Sequence, residues 1–217
     1  MKLTHLGHAC VLIEMADTRI ALDPGVFTPD LSALTDLDAI VVTHQHLDHL
    51  DRDRLPGLLA ANPTARLITD PESAQIVRDL GIDVQAQNGS AFTIGAVTVE
   101  PVGEIHALIH DEIPRIANVG VTLRAAGEPS FHHPGDSVEN TPGDVDIVGF
   151  PINAPWQASR EMTAFLRRVG AAHAVPIHDG LLNATGRTLY LTQAGQFGHP
   201  DTQIHDLEWG SSLEVRA

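Results

Sequence analysis

The densest group of metal-ligating side chains lies in residues 43–50, which read THQHLDHL. It holds His44, His46, Asp48 and His49 and directly follows the apolar run Ala39–Val42, which predicts a short buried strand. Imidazole and carboxylate groups are ligands that divalent metals such as zinc accept. His44 and His46 project to the same side of an extended backbone and can bind one ion. Asp48 and His49 lie beyond the start of the turn, where they can face a second ion, so this segment predicts a metal site.

The net charge and the cysteine content limit which partners and which cellular compartment we expect for this protein. A formal charge of −15 with one lysine, Lys2, argues against a polyanionic partner such as nucleic acid. Cys10 is the single cysteine and lies in an apolar run, so we expect a buried, inert thiol in a reducing compartment. No run of 18 apolar residues and no signal-peptide pattern occurs, so we expect no membrane partner. We therefore expect a cytoplasmic domain, residues 1–217, that acts on a small molecule, with homo-oligomerisation left open.

Hydrophobic periodicity predicts alternating strands and helices, and hence an α/β (α+β) fold. Strands are predicted at 2–6, 9–15, 18–23, 39–43, 66–69, 91–105 (a hairpin), 119–125, 129–133, 145–150, 173–177, 204–209 and 212–216. Helices are predicted at 53–61 with Asp53 as cap, at 72–80, and at 159–169 with Ser159 as cap. Loops at 107–117, 153–158 and 180–202 are expected to wall a substrate groove.

Three further donors each follow a predicted strand. His106 ends the hairpin, Asp136 lies in the turn HHPGDS, and His178 ends VPIH. Because a rigid scaffold positions loop ligands at the ends of its strands, we expect these donors to lie at one edge of the sheets with the 43–50 group.

The other histidines are weaker candidates. His110 lies four residues beyond His106 and competes for its position; we favour His106 because it is closer to the strand end. His132 and His133 would lie within a strand and are not expected to ligate. His5 and His8 flank the first turn, where we expect surface imidazoles or groups that support the site from outside.

Several segments together resemble the metallo-β-lactamase superfamily: THLGHACVLIE, LDPG, THQHLDHL, the histidine of GEIHA, PGDS and VPIH. The resemblance implies a four-layer αβ/βα sandwich with a dinuclear site between the edges of two sheets. It implies one ion held by His44, His46 and His106, a second held by Asp48, His49 and His178, and Asp136 as a bridge. The implied cofactors are two divalent ions, zinc first, with Mn, Fe or Ni as alternatives. Asp23, in LDPG, matches the strand-end acid near the site; it could accept a hydrogen bond from a ligating histidine, and a simple Asp-Pro turn explains it equally well.

Departures from the family pattern reduce the number of branches of the superfamily that this chain could resemble. Cys10 is misplaced for the cysteine ligand of some β-lactamases, which argues against antibiotic hydrolysis. His46 stands where the diiron flavoproteins typically have Glu, and the chain lacks the extra domain or basic arm of RNA-processing members. The predicted closing strands argue against glyoxalase-type members, which end in a helical portion. What remains resembles the compact branch that includes the ascorbate-6-phosphate lactonase.

The expected activity is metal-dependent hydrolysis. Two divalent ions would lower the pKa of a bridging water to about 7, and the resulting hydroxide would attack an ester, lactone or phosphoester. Asp48 or Asp136 would take up or orient the proton. Arg115, Arg187 and Tyr190 lie in or beside the predicted loops and could meet an anionic group, or serve only as surface arginines and a packed tyrosine. The alternatives are an iron oxidoreductase of the sulfur dioxygenase type on the same fold and a non-catalytic metal-binding protein.

Overall fold

The strands form two separate sheets in the computed structural model, which describes residues 1–216. Within this range the strands are β1 Lys2–Gly7, β2 Cys10–Met15, β3 Thr18–Leu22, β4 Ala39–Val42, β5 Arg66–Thr69, β6 Gln85–Ala86, β7 Phe92–Ile94, β8 Val97–Val102, β9 Gly120–Arg124, β10 Phe131–His133, β11 Ile147–Pro151, β12 His173–Ile177, β13 Gln203–Ile204 and β14 Ser212–Glu214. The helices are α1 Leu55–Ala61, α2 Pro71–Asp79, α3 Ser159–Val169 and α4 Ala184–Phe197. In this part of the chain no helix is long and apolar enough to cross a lipid bilayer.

Each sheet combines an antiparallel part with a parallel part. The first has the order β14-β1-β2-β3-β4-β5-β6, with β1 to β3 forming the predicted meander and β3 to β6 parallel. The second has the order β13-β12-β11-β10-β9-β8-β7, in which β10 to β13 are parallel. Parallel strands end at a common edge, and ligand sites of α/β proteins lie beyond such carboxyl ends.

Successive side chains of a strand point to opposite faces of its sheet, and this alternation explains how the sheets and helices form layers. Side chains on one face of the first sheet, such as Val11 and Ile13, pack with Val99 and Phe131 of the second sheet in a core between the sheets. Side chains on its opposite face pack with Leu55 and Leu58 of α1 and with Ala74 and Val77 of α2. The second sheet packs its outer face against α3 and α4 through Phe150, Phe165 and Ala194. The four-layer αβ/βα sandwich is therefore confirmed.

Helix α4 corrects the prediction of a loop at 180–202. Ala194 is its one fully buried residue within the described chain, and two glycines and three threonines interrupt the run, so no apolar stripe marks it in the sequence. Asn183 caps it by accepting a hydrogen bond from the backbone N–H of Gly186. The last two strands, β13 and β14, are shorter than the predicted 204–209 and 212–216.

Two helix caps differ from the prediction. At α1 it is Asp51, not Asp53, whose carboxylate accepts from the backbone N–H groups of residues 53 and 54. At α3, Ser159 is the first helical residue rather than the cap, and its hydroxyl donates to Gln193 of α4. Glu161 instead accepts from the backbone N–H of Ala158. Charged or polar groups satisfy these helix starts, but from neighbouring positions in the chain.

Candidate metal centre

All seven predicted donors meet at the carboxyl edge of the two sheets. The segment after β4 supplies His44, His46, Asp48 and His49; Asp136 follows β10 and His178 follows β12. Within residues 1–216 two groups have ligand atoms all within 4.8 Å of one another: His44, His46, His106 and Asp136, and separately His8, Asp48, His49 and His178. The two groups contain all seven predicted donors, and His8 is an additional member that was not predicted.

The first group is a tight stack of imidazoles. His44 Nε2 lies 3.1 Å from His46 Nδ1, and the His106 ring centroid lies 4.9 Å and 4.7 Å from those of His44 and His46. His44 and His106 are buried, whereas His46 is half-buried and forms part of the opening to solvent. Three imidazoles converging on one point, with one side open, are the ligand set of many catalytic zinc sites.

Asp136 lies between the two groups. Its Oδ1 is 3.1 Å from His49 Nε2, and its Oδ2 is 3.2 Å from His178 Nε2 and 3.5 Å from His106 Nε2. The indole N–H of Trp156 donates to the same Oδ2 at 2.8 Å. One carboxylate therefore contacts members of both groups, the position that a bridging ligand requires.

The ring tautomers of four histidines can be assigned from the partners of Nδ1. Nδ1 of His106 and of His178 each lies 2.7 Å from a backbone carbonyl oxygen, which can only accept. Nδ1 of His49 donates to the Asp23 carboxylate at 2.7 Å. Nδ1 of His44 contacts the Thr43 hydroxyl, whose own proton goes to Asp23. In each ring the proton is held on Nδ1, so Nε2 presents its lone pair to the centre, as metal-ligating histidines do.

His8 has the opposite tautomer. The backbone N–H of Gly180 donates to its Nδ1 at 3.0 Å, so the proton of the neutral ring lies on Nε2 and is donated to Asp48 Oδ2 at 3.1 Å. Burial lowers the pKa of His8 to about 4, against the effect of its hydrogen bond to Asp48. His8 therefore holds Asp48 and does not offer Nε2 to an ion. His5 and His8 are fully buried and therefore not surface imidazoles, and His8 has the other expected role, supporting the site through Asp48.

Asp23 supports two histidines at once. One oxygen accepts from the Thr43 hydroxyl and from His49, and the other accepts from the backbone N–H of Thr43 at 2.7 Å. This is the supporting role predicted for the acid of LDPG. The next turn packs directly under the 46–49 segment, where a Cβ on Gly25 would lie 1.9 Å from the backbone oxygen of Asp48. Gly25 is therefore required for this close approach.

The charges of the buried groups are strongly coupled. Burial disfavours the charged carboxylate of Asp136 and so raises its pKa. The neighbouring His178 and His49 outweigh this effect and hold the pKa of Asp136 well below its ordinary value. Burial lowers the pKa of His178, yet Asp136 and Asp48 raise it to about 9, and the pKa of His49 is raised well above the usual range by Asp136 and Asp23. Burial and His49 lower the pKa of His44 well below its usual range. Without an ion, a second proton, carried on Nε2 of His49 and of His178, balances the charge of the carboxylates.

The donor set fits divalent cations. Nε2 of His49, His106 and His178 lies 3.1 to 3.5 Å from an Asp136 oxygen, but these buried nitrogens and Asp136 Oδ1 make no well-formed hydrogen bond among the described residues. Such atoms are costly in a folded protein unless something binds them. Imidazole nitrogens and carboxylate oxygens in this number suit zinc and its neighbours in the first transition series.

The remaining candidates lie outside the centre. His110 is exposed, as expected from the preference for His106. His132 and His133 lie in β10, where His133 donates to the Ala9 carbonyl and His132 contacts Thr122 and the Val121 carbonyl.

The cationic candidates have protein partners. Arg115 pairs with Glu139 at 3.0 Å, and Arg187 pairs with Asp179 and Asp206. Tyr190 is half-buried on α4, against the outer core. Neither arginine is therefore free to bind an anionic substrate group without breaking an ion pair.

This chain is similar to known proteins in sequence and in fold. A family model described as the beta-lactamase superfamily domain matches residues 2–178. Protein Rv0786c of Mycobacterium tuberculosis is 38% identical over 206 residues, which cover 94% of this chain and 96% of the relative. A protein of Methanospirillum hungatei named as a UPF0173 metal-dependent hydrolase is 28% identical over 191 residues, or 82% of each chain. The solved structure of a metallo hydrolase from Ignicoccus hospitalis has a TM-score of 0.75 at 17% identity, covers 99% of each chain, and shows the shared fold.

Proposed function

The chain belongs to the β-lactamase superfamily, and from this premise we propose that it is a metal-dependent hydrolase with a dinuclear centre. We propose His44, His46 and His106 as ligands of one ion, Asp48, His49 and His178 as ligands of the other, and Asp136 as the bridge. The substrate would be a small-molecule ester, lactone or phosphoester. The name of the Methanospirillum hungatei relative supports the reaction class.

A single observation carries this proposal: the ring orientation of the buried histidines. His44, His49, His106 and His178 each direct Nδ1 to an acceptor and Nε2 to one small volume. A purely structural cluster would be expected to satisfy the inner atoms with well-formed hydrogen bonds. Three of those Nε2 atoms make none within the described chain, although Asp136 oxygens lie 3.1 to 3.5 Å away.

The two acids of the centre have different roles in this proposal. When bound, divalent ions supply Lewis acidity and make water a nucleophile at neutral pH. Asp136 is buried and held by Trp156, so it can fix the position of the two ligand groups relative to each other. Asp48 is half-buried at the opening, and His8 holds its Oδ2. We assign to Asp48 the orientation of the attacking water, because its carboxylate is the acid of the centre that solvent reaches.

Metal quantification on the purified protein, followed by a screen of esters, lactones and phosphoesters, tests the proposal. We expect about two divalent ions per chain and turnover that is lost on chelation and restored by zinc or manganese. Asp136→Ala should abolish turnover while the protein retains at least one ion. One redox-active iron with oxygen-dependent activity would support an oxidoreductase of the same fold. Bound metal without turnover of any substrate class would support a non-catalytic metal-binding protein.

A further inference from the structure

A cavity of about 640 Å³ adjoins the proposed metal centre through Trp156. It lies between the segment that follows His106, the segment that follows Asp136, and the start of α3. Its volume is within the range of small-molecule sites, roughly 300–1,000 Å³. Trp156 lines this cavity and also donates its indole N–H to Asp136. One side chain therefore joins the cavity to the proposed bridging ligand.

Uncharged surface dominates the walls that a ligand could contact. The apolar lining side chains are Ala107, Leu108, Val138, Trp156 and Ala164. Leu108 is about half exposed, two residues beyond His106, so apolar surface extends from the proposed ligand to the cavity mouth. Apolar surface of this kind favours a ligand that loses water-exposed hydrocarbon on binding.

The charged residues of the lining are engaged by the protein itself. Glu139 accepts two hydrogen bonds from Arg115, at 3.0 Å and 3.1 Å. Arg168 donates to the backbone oxygen of Val138, and Glu161 accepts from the backbone N–H of Ala158. Arg160 lies 3.6 Å from Glu161, and its side chain is 84% exposed, so it extends into solvent. The two acids and two bases also balance, so the cavity offers little attraction to a doubly charged phosphoryl group.

A second set of exposed apolar side chains lies beside residues of the centre. Leu47 lies between His46 and Asp48 in the chain, and Leu181 follows His178 by three residues; both are 53% exposed. Phe27 contacts the His8 ring edge-to-face, with centroids 5.0 Å apart, and is also exposed. Exposed apolar side chains concentrated around a polar centre mark a surface that binds apolar material.

From the apolar walls of the cavity and the exposed apolar side chains beside the centre, we infer that the substrate is a carboxylic ester or lactone whose acyl part is apolar. The acyl part occupies this cavity. The inference rests on the proposed hydrolase activity and narrows it, excluding phosphoesters. Hydrolysis breaks the acyl C–O bond and forms a new acyl C–O bond from water. One water proton ends on the released alcohol oxygen, and the acid loses its own proton to solvent, so no oxidant or reductant is needed. Trp156 thus contributes to both parts of the site, as a wall of the acyl pocket and as a donor that positions Asp136.

Acyl-chain selectivity tests the inference with p-nitrophenyl acetate, butyrate and hexanoate on the metal-loaded enzyme. We expect kcat/KM to rise about fourfold per added methylene until the cavity is filled. Ala164→Phe places an aromatic ring in the cavity from α3, away from the proposed ligands, and should lower the hexanoate-to-acetate ratio by at least about tenfold. Ala60→Phe, the same change on an exposed face of α1, is the matched control and should keep the wild-type ratio. An unchanged ratio in Ala164→Phe, or a preference for p-nitrophenyl phosphate over every carboxylic ester, would overturn the inference.

A binding measurement separates this inference from the proposed function. Trp156 and Trp209 are the two tryptophans, so Trp209→Phe leaves Trp156 as the fluorescent reporter within the cavity. Non-hydrolysable 2-alkanones, from butanone to octanone, should change its emission with a Kd that falls about fourfold per methylene. Adding Ala164→Phe should remove the chain-length dependence. Binding without chain-length dependence overturns the apolar pocket even if esters are hydrolysed. Chain-length-dependent binding without turnover of any ester or lactone supports the pocket and overturns the hydrolase.

Discussion

Asp23 Oδ2 lies 2.7 Å from His49 Nδ1, and both side chains are fully buried. The carboxylate can only accept, so it holds the imidazole proton on Nδ1 and leaves Nε2 facing Asp136. The orientation of a proposed ligand is thus decided by a residue 26 positions earlier in the chain.

Asp23→Asn should therefore weaken metal binding without removing a ligand. The asparagine N–H₂ group would donate to His49 Nδ1, move the ring proton to Nε2 and block the proposed ligand atom. We expect metal affinity to fall about 10- to 100-fold, measured by competition with a chromophoric chelator. Asp38→Asn, at an exposed carboxylate that accepts from the Arg19 backbone N–H, is the control. Equal affinities in the two variants would contradict the role of Asp23.

His8→Ala should weaken the binding of one proposed ion more than that of the other. It removes the donor to Asp48 Oδ2, so the ion held by Asp48, His49 and His178 should bind about tenfold more weakly. The ion held by the other group should be retained, because His8 makes no hydrogen bond to that group among the described contacts. Stepwise metal removal monitored by bound-metal content measures the difference.

His8→Gln tests the reason for that effect. A glutamine amide N–H can occupy nearly the position of the His8 Nε2–H and should restore much of the lost affinity. If glutamine and alanine behave alike, or if both ions are lost together, the hydrogen bond to Asp48 does not hold that ligand.

His132 should make the fold sensitive to acid. Burial and the neighbouring His133 lower its pKa to about 3, whereas the unfolded chain has the ordinary value of about 6.5. The unfolded state therefore binds the proton first, so stability is fully present above about pH 6.5 and is lost as the pH falls toward 3. In His132→Leu the loss of unfolding free energy between pH 7 and pH 5 should be smaller by on the order of 2 kcal/mol.

Urea unfolding of the metal-free protein at pH 7 and pH 5 measures this difference. His110→Leu replaces an exposed imidazole and should leave the difference at its wild-type value. The same pH dependence in all three proteins would show that His132 is not the sensitive group.

Cys10 should be unreactive in the folded protein. It is fully buried in β2, and burial raises the pKa of its thiol to about 12. At pH 8 its thiolate fraction is lower than that of a free cysteine by on the order of a thousandfold. Ellman's reagent should therefore detect about one thiol per chain in denaturant and almost none in buffer. Rapid reaction of the native protein would contradict the burial of Cys10.

The sequence was sufficient for the parts of this protein that depend on local pattern. Strands such as Arg66–Thr69 and His173–Ile177 form at their predicted bounds, because each is a short run of residues suited to burial between turn signals. The same holds for helix Ser159–Val169, which has an apolar stripe and a glycine at its end. Helix α4 was missed because it packs through so few residues that no stripe is required of it.

Composition and order also identified the seven proposed donors, because His and Asp after successive strand ends point to one edge of the sheets. Their roles as ligands stay a prediction that metal binding must test. What the tertiary structure alone decided is which nitrogen of each ring faces the centre. His8 and His49 are the same residue type beside the same site, yet Gly180 places the proton of one on Nε2 and Asp23 places that of the other on Nδ1. A tautomer depends on a hydrogen-bond partner brought near by folding, and for His8 that partner lies 172 residues away, beyond the reach of any local pattern.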